Sequence, residues 1–211
     1  MDEKLLNKLE SIYIDTSFIL NANYDCIDND ARIVKKSQNI LGDLFTYKQG
    51  KCYISNITIN EIYNVVEKTA LQEFIDKKII QFENINIEEW KNYNQFTRRK
   101  LRIDYSKTEG FNIKQKDWRS KEEYKEIYKI KVIDEIQNIF DSLPDFICIS
   151  GFTNNEETVG KFKKTKTKYT ELDGNDINHY LLCKEHNING ILSCDNDFKS
   201  IEDKEIIIFL I

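Results

Sequence analysis

Short apolar runs alternate with longer amphipathic stretches along this chain. Residues 2–10 are charged and amphipathic and read as a short helix. Ser11-Ile12-Tyr13-Ile14 follows, too short for a helix and rich in β-branched and aromatic side chains, so it reads as a strand. Over residues 30–48 the period changes. Ile33, Val34, Ser37, Ile40, Leu41, Leu44 and Phe45 recur at threes and fours, and Gln49-Gly50 supplies a terminating glycine. Lys51-Cys52-Tyr53-Ile54-Ser55 is strand-like again. Residues 58–79 return to the helical period, with Ile59, Ile62, Tyr63, Val66, Ala70 and Phe74 on one face. Strand, helix, strand, helix in this order predicts a parallel α/β sheet.

The middle of the chain breaks that rhythm. From about 86 to 141 the pattern is helical and highly charged, with aromatic positions at Trp90, Tyr93, Phe96, Trp118, Tyr124 and Tyr128 and a break near Thr108-Glu109-Gly110. Pro144, the only proline, closes the region. Residues 145–150 fit either a short strand or a buried helix turn. Residues 153–171 are polar and read as a loop. A helix over 175–187 carries Ile177, Tyr180, Leu181 and Lys184 on one face. Strand 190–194, a turn and a terminal strand 206–211 complete the chain. The last run, apolar at every position, is what a strand covered on both faces by helices requires. The expected architecture is a three-layer α/β/α fold around a parallel twisted sheet, one domain over 1–211 with a helical insertion at about 86–141.

Composition narrows the function classes. Apolar residues make up 40% of the chain, enough for a sizeable core, and the 32% charged residues are mixed in sign, which argues against global disorder. A net charge of −5 excludes a strongly basic nucleic-acid binder but not an enzyme with a basic strip beside an acidic site. Five scattered cysteines without a C-x-x-C pair argue against zinc and for a reducing, cytoplasmic setting, with Cys52 and Cys194 as core thiols. No signal peptide is evident, and the longest apolar run, Ile206 to Ile211, is too short to span a bilayer, so no membrane partner is expected.

The chemistry lies in carboxylates that follow strands. Asp15 comes directly after the first strand, and Asp195 after Gly190-Ile191-Leu192-Ser193-Cys194. Glu61 comes six residues after the second strand, and Asp176 opens a helix behind Leu172-Asp173-Gly174-Asn175. Each has a local reading. Asp15 suits a helix N-cap, Thr58-Ile59-Asn60-Glu61 suits a capping box, and the acids near 173–176 and 195–197 suit turns. None of these local readings predicts four acids delivered to the same sheet edge, where α/β folds bind ligands. Acids gathered there repel one another unless a cation holds them, which suggests a hard divalent metal and phosphate chemistry.

Four segments together resemble the PIN-domain ribonucleases: Ile12-Tyr13-Ile14-Asp15-Thr16-Ser17-Phe18-Ile19-Leu20, Ser55-Asn56-Ile57-Thr58-Ile59-Asn60-Glu61-Ile62, Leu172-Asp173-Gly174-Asn175-Asp176-Ile177, and Ile191-Leu192-Ser193-Cys194-Asp195-Asn196-Asp197-Phe198. The likeness covers roughly 11–79 and 170–211. It implies an acidic site of Asp15, Glu61, Asp176 and Asp195 holding Mg²⁺ or Mn²⁺, with Asp197 as a secondary acid and a hydroxyl from Thr16 or Ser17. The chain departs from the small VapC-type toxins of that family in its long stretch 80–170. The expected activity is metal-dependent hydrolysis of single-stranded RNA, as the toxin of a toxin–antitoxin or defence system, in which case a neutralising antitoxin would be its partner. A homodimer is one reading of the 80–170 segment. The readings from other classes are a non-catalytic nucleic-acid or protein-binding module on the same fold, and a structure-selective DNase.

Two basic stretches remain. Residues 98–131 hold twelve Lys/Arg against six Asp/Glu, and residues 161–168 hold five lysines and no acid. The second, read as a loop, is the better nucleic-acid contact, through Lys163, Lys164 and Lys166. His179 and His186, seven residues apart, share one helix face without the spacing of four usual for a ligand pair; His179, three after Asp176, has a reading as a contact to a substrate phosphate, but the favoured reading is a surface histidine. No catalytic Ser/His/Asp set, P-loop or dinucleotide fingerprint occurs.

Overall fold

The computed structural model describes residues 9–24, 30–47, 51–108, 113–151 and 156–211. Most of the expected N-terminal helix, Cys26, Gln49-Gly50 and Glu109-Gly110 lie outside these residues. The chain forms two compact units, Met1–Ile62 with Ile139–Ile211, and Tyr63–Asn138.

The first unit is a five-stranded, all-parallel sheet flanked by helices. Its strands are β1 (Ile12–Ile14), β2 (Cys52–Ser55), β3 (Phe146–Ile149), β4 (Gly190–Ser193) and β5 (Ile207–Leu210), in the order β3-β2-β1-β4-β5. The register pairs Tyr13 with Tyr53 on one side and with Ile191 on the other. The chain winds outward from β1 to β3, then returns to the far side of β1 for β4 and β5. Right-handed crossovers in opposite directions place the connecting helices on opposite faces.

Side-chain parity shows the two faces. Tyr13, Ile149 and Ile191 pack with Ile177, Tyr180 and Leu181 of a helix at Gly174–Glu185. Cys194, of opposite parity to Ile191, meets Ser37 at 3.6 Å, on the helix at Ala31–Tyr47. Close strand approach explains one glycine. A Cβ on Gly190 would lie 2.7 Å from Leu9 Cδ1 and 3.3 Å from the Ser11 carbonyl.

The helices, numbered in chain order, are α1 (Thr16–Asn23), α2 (Ala31–Tyr47), α3 (Asn56–Phe82), α4 (Ile87–Asn92), α5 (Gln95–Thr108), α6 (Gln115–Ser120), α7 (Glu122–Tyr128), α8 (Asp134–Asp141), α9 (Glu156–Lys168) and α10 (Gly174–Glu185), with a π-turn at Lys129–Ile133 and a 3₁₀ turn at Asn196–Ser200. α2 buries Ser37, Ile40, Leu41 and Leu44, as its periodicity predicts. α3 contains neither glycine nor proline and runs three residues beyond the expected end. α10 stops where Asn187 takes a left-handed conformation, φ 55°, and the Ile188 N–H reaches back to the Cys183 carbonyl.

Three expectations need correction, and one open reading is decided. Residues 156–168 are helix α9, not loop. Lysine is a good helix former, and the charge that suggested a loop marks a solvated helical face, stapled by a Glu157–Lys161 pair at 2.7 Å. Segment 145–150 resolves as strand β3. The terminal strand β5 is a sheet edge, and Ile207 is 40% exposed rather than covered. Cys52 is a core thiol, but Cys194 is only half-buried.

The second unit is helical. Trp90, Ile79 and Tyr105 form one cluster, and Trp118 stacks among Phe74, Tyr124 and Tyr128 in another. Its basic residues are partly consumed internally. Arg102 grips Asp76 through two bonds of 2.7 Å, and Arg119 pairs at 2.9 Å with the buried Glu67. No helix among the described residues is long and apolar enough to cross a membrane.

Candidate metal centre

Strand parity and the winding of the sheet bring the acids together. Asp15 directly follows β1 in extended backbone, two residues after Tyr13, so it faces the same side, toward α10. The neighbouring strand is β4, on which the chain arrives from the opposite direction. The crevice at the carboxyl ends of β1 and β4 is therefore the topological switch point, where open α/β sheets bind ligands.

Asp15 is buried and tightly held. Its Oδ2 accepts the Ser17 hydroxyl at 2.5 Å, the Ser193 hydroxyl at 2.7 Å and the Ser17 N–H at 3.3 Å. Those hydroxyls in turn accept the N–H groups of Cys194 and Asp195, both at 2.9 Å. Asp15 is thus the N-cap of α1 and a site acid at once, because capping uses one carboxylate oxygen and leaves the other. That other oxygen, Oδ1, lies 3.7 Å from His179 Nε2.

Glu61 sits in the second turn of α3. Ser55 caps this helix, its Oγ accepting the Thr58 N–H at 3.3 Å. The Thr58–Glu61 capping box does not form; Thr58 turns to Tyr13 instead. Glu61 Oε2 receives the Thr16 hydroxyl and His179 Nε2 (3.1 Å), and Oε1 receives the Asn175 amide at 2.6 Å. Burial works to raise its pKa, but the bonds from His179, Thr16 and Asn175 outweigh it and hold the carboxyl below its ordinary value.

Asp176 and Asp173 form a reciprocal capping box at the start of α10. Asp173 Oδ1 accepts the Asp176 N–H, and Asp176 Oδ2 accepts the Asp173 N–H, both at 2.9 Å. Asp176 is nonetheless a site acid. Burial, followed by the negative charges of Asp173, Asp195 and Asp15, pushes it from 3.8 up to about 6, against the opposing bond from Asp173. Asp195 caps the 3₁₀ turn through the Asp197 N–H at 2.9 Å.

The acids form two groups. Oxygen or nitrogen atoms of Asp15, Glu61 and His179 lie within 4.8 Å of one another, as do those of Asp176, Asp195 and Asp197. A buried group of Asp15, Glu61 and His179 could hold a metal ion. The donor chemistry suits a hard cation. An ionised Glu61 can only accept, so His179 Nε2 carries the proton between them. Carboxylate oxygens are then the atoms offered, as Mg²⁺ and Mn²⁺ prefer.

His179 corrects the expectation of a surface residue. It is 1% exposed, and its Nδ1 lies 2.6 Å from the Tyr13 hydroxyl, which also meets Ser55 Oγ at 2.6 Å and Thr58 Oγ1 at 2.8 Å. Burial opposes protonation of the ring, but Glu61, Asp15 and Asp176 around it raise its pKa. His186, by contrast, is exposed at the helix end. Sequence reading missed Tyr13, Asn175 and His179. The legible signals were the spacing of two from Tyr13 to Asp15 and of four from Asn175 to His179, each placing the pair on one face.

The remaining expected residues differ in availability. The Thr16 and Ser17 hydroxyls are at the site but are spent on Glu61 and Asp15. Lys166 is committed to the Thr170 and Leu172 carbonyls, at 2.9 and 2.5 Å, and so fastens the segment leading into α10. That removes it from the expected substrate contacts. Lys163 and Lys164 are exposed on α9. Comparison with models of known protein families finds none that matches this chain, and no curated protein matches it.

Proposed function

We propose that this chain is a PIN-like, divalent-metal-dependent nuclease that hydrolyses phosphodiester bonds in single-stranded RNA. One observation supports the reading: two acid groups, one with Asp15 and Glu61 and one with Asp176 and Asp195, lie at the carboxyl edge of a parallel sheet, where burial and acidic neighbours push Asp176 up to about 6. Among the described residues no Lys or Arg pairs with Asp176 or Asp195, and a bound cation would relieve their repulsion.

Asp15, Glu61, Asp176 and Asp195 would hold Mg²⁺ or Mn²⁺. When bound, the ion supplies Lewis acidity toward a phosphoryl oxygen and lowers the pKa of water. The chain's own residues do the positioning. Ser17 and Ser193 lock one oxygen of Asp15, so the other has a fixed direction. His179, Thr16 and Asn175 fix Glu61 from three sides. Asp176 would have to be ionised to serve as a ligand, so metal affinity would rise with pH through about 6. Lys163 and Lys164 on α9 neutralise flanking phosphates.

The test is cleavage of end-labelled RNA by purified protein with Mn²⁺, with Mg²⁺ and with EDTA. Discrete products that vanish in EDTA are expected. Folded protein that neither cleaves nor binds Mn²⁺ by calorimetry would overturn the reading, and preferential cutting of flap DNA would move the substrate class to DNA.

A further inference from the structure

Beside the acidic crevice lies a cavity of about 330 Å³, a size at the lower end of small-ligand pockets. Its walls come from the start of α3 (Asn56, Ile57), the segment after β3 (Gly151), α9 (Val159, Phe162) and α10 (Asn178). Asn56 follows β2 directly and Gly151 lies two residues past β3, so the cavity sits on the same carboxyl edge of the sheet as the acids. Ile57 is one turn before Glu61 on α3. Asn178 is one turn after Asn175, the residue that holds Glu61 Oε1. The cavity is therefore displaced from Glu61 by about one helical turn, roughly 5–6 Å.

Ile57, Val159 and Phe162 provide apolar surface, one of them an aromatic ring. Against it stand two carboxamides, those of Asn56 and Asn178, neither engaged in a hydrogen bond among the described residues. Each carboxamide offers both donors and an acceptor. A flat apolar body with mixed donors and acceptors on its edge is the chemistry of a nucleobase, which proteins stack on aromatic rings and read at its edges. Gly151 lines the same space, and a Cβ there would sit in ordinary van der Waals contact, 3.4 Å from Asn56 Oδ1, so a branched side chain at this position intrudes on the cavity. Lys163 follows Val159 by four residues on α9, so it stands at the rim, exposed and placed for a backbone phosphate.

We infer that this cavity is a nucleobase subsite, with Phe162 and Val159 against the base face and Asn56 and Asn178 on its edge. It rests on the nuclease reading for the identity of the strand that carries the base.

The experiment compares two 12-nucleotide single-stranded RNAs of equal charge, one complete and one with abasic sites, by fluorescence anisotropy in EDTA. Wild type binds the complete strand about tenfold more tightly, the worth of two modest hydrogen bonds. Asn56→Ala combined with Asn178→Ala, and separately Gly151→Val, collapse that ratio toward one with unchanged urea midpoints. Lys163→Ala weakens both strands equally and preserves the ratio. A wild-type ratio of one, or a ratio untouched by both cavity variants, overturns the subsite. Cleavage of the same strand with Mn²⁺ is scored separately: its absence with the ratio intact removes the nuclease reading and leaves the subsite standing.

Discussion

The Tyr13 hydroxyl is surrounded by three partners in a fully buried position, and among the described residues it is linked to the acids through His179. Tyr13→Phe leaves the ring in place but strands a buried imidazole nitrogen. We expect a loss of about 1–3 kcal/mol in urea denaturation, and a drop in cleavage rate as Glu61 loses its support. A variant as stable as wild type would reduce the hydroxyl to a bystander. Asp176 makes a pH prediction. Its folded value, about 6, exceeds the ordinary 3.8, so the folded state binds the extra proton between these values. Stability without metal therefore falls as pH rises from about 4 to 6, then levels off. Asp176→Asn keeps the capping acceptor and removes the penalty. In EDTA the variant should match wild type near pH 4 and exceed it at pH 8 by about 1–2 kcal/mol. Parallel stability curves would contradict the buried-acid account.

Helix α9 shows how one element divides its charges. Lys161 pairs with Glu157, Lys166 holds two carbonyls, and Lys168 lies over the Tyr169 ring, 4.6 Å from its centroid. Lys163 and Lys164 remain for a ligand. Replacing both with alanine should flatten the slope of log affinity against log salt by about 0.7 per lysine and leave stability unchanged. Lys166→Ala should do the reverse, costing about 1 kcal/mol of stability with little effect on the slope. An equal effect of all three lysines on the slope would count against this division. The helix itself was obscured in the sequence because charge density was taken for loop character, whereas lysine and threonine on a solvated face tolerate helix well.

At the scale of the whole molecule, the site exists only because β1 and β4 are neighbours. Asp15→Asn keeps an acceptor for Ser17 and Ser193 and removes one site charge. We expect a folded protein whose cleavage falls about a hundredfold or more. In wild type, Mn²⁺ at about a hundred times its dissociation constant should stabilise by roughly 2.7 kcal/mol and raise the melting temperature by several degrees. That rise should disappear in the Asp15→Asn variant. An equal rise in both would place the ion elsewhere.

The sequence by itself determined the elements that bury apolar faces. The short runs at 11–14, 51–55 and 190–194 and the periodic stretches at 30–48, 58–79 and 175–187 carry their structure in the spacing of their side chains, and they locate Asp15 and Asp195 just after strands and Glu61 and Asp176 in the first two turns of helices. What the spacing leaves open is which local role an acid plays, since capping and site chemistry require the same residue at the same place. Tertiary structure decided that question. It turned Thr58 away from Glu61 toward Tyr13, left Asp15 with a free oxygen, divided the acids into two groups and buried His179 between two carboxylates. The distant partners of Thr58, His179 and Asp15 lie 45, 118 and 178 positions away in the chain. Only the order of the strands brings those partners within hydrogen-bond distance.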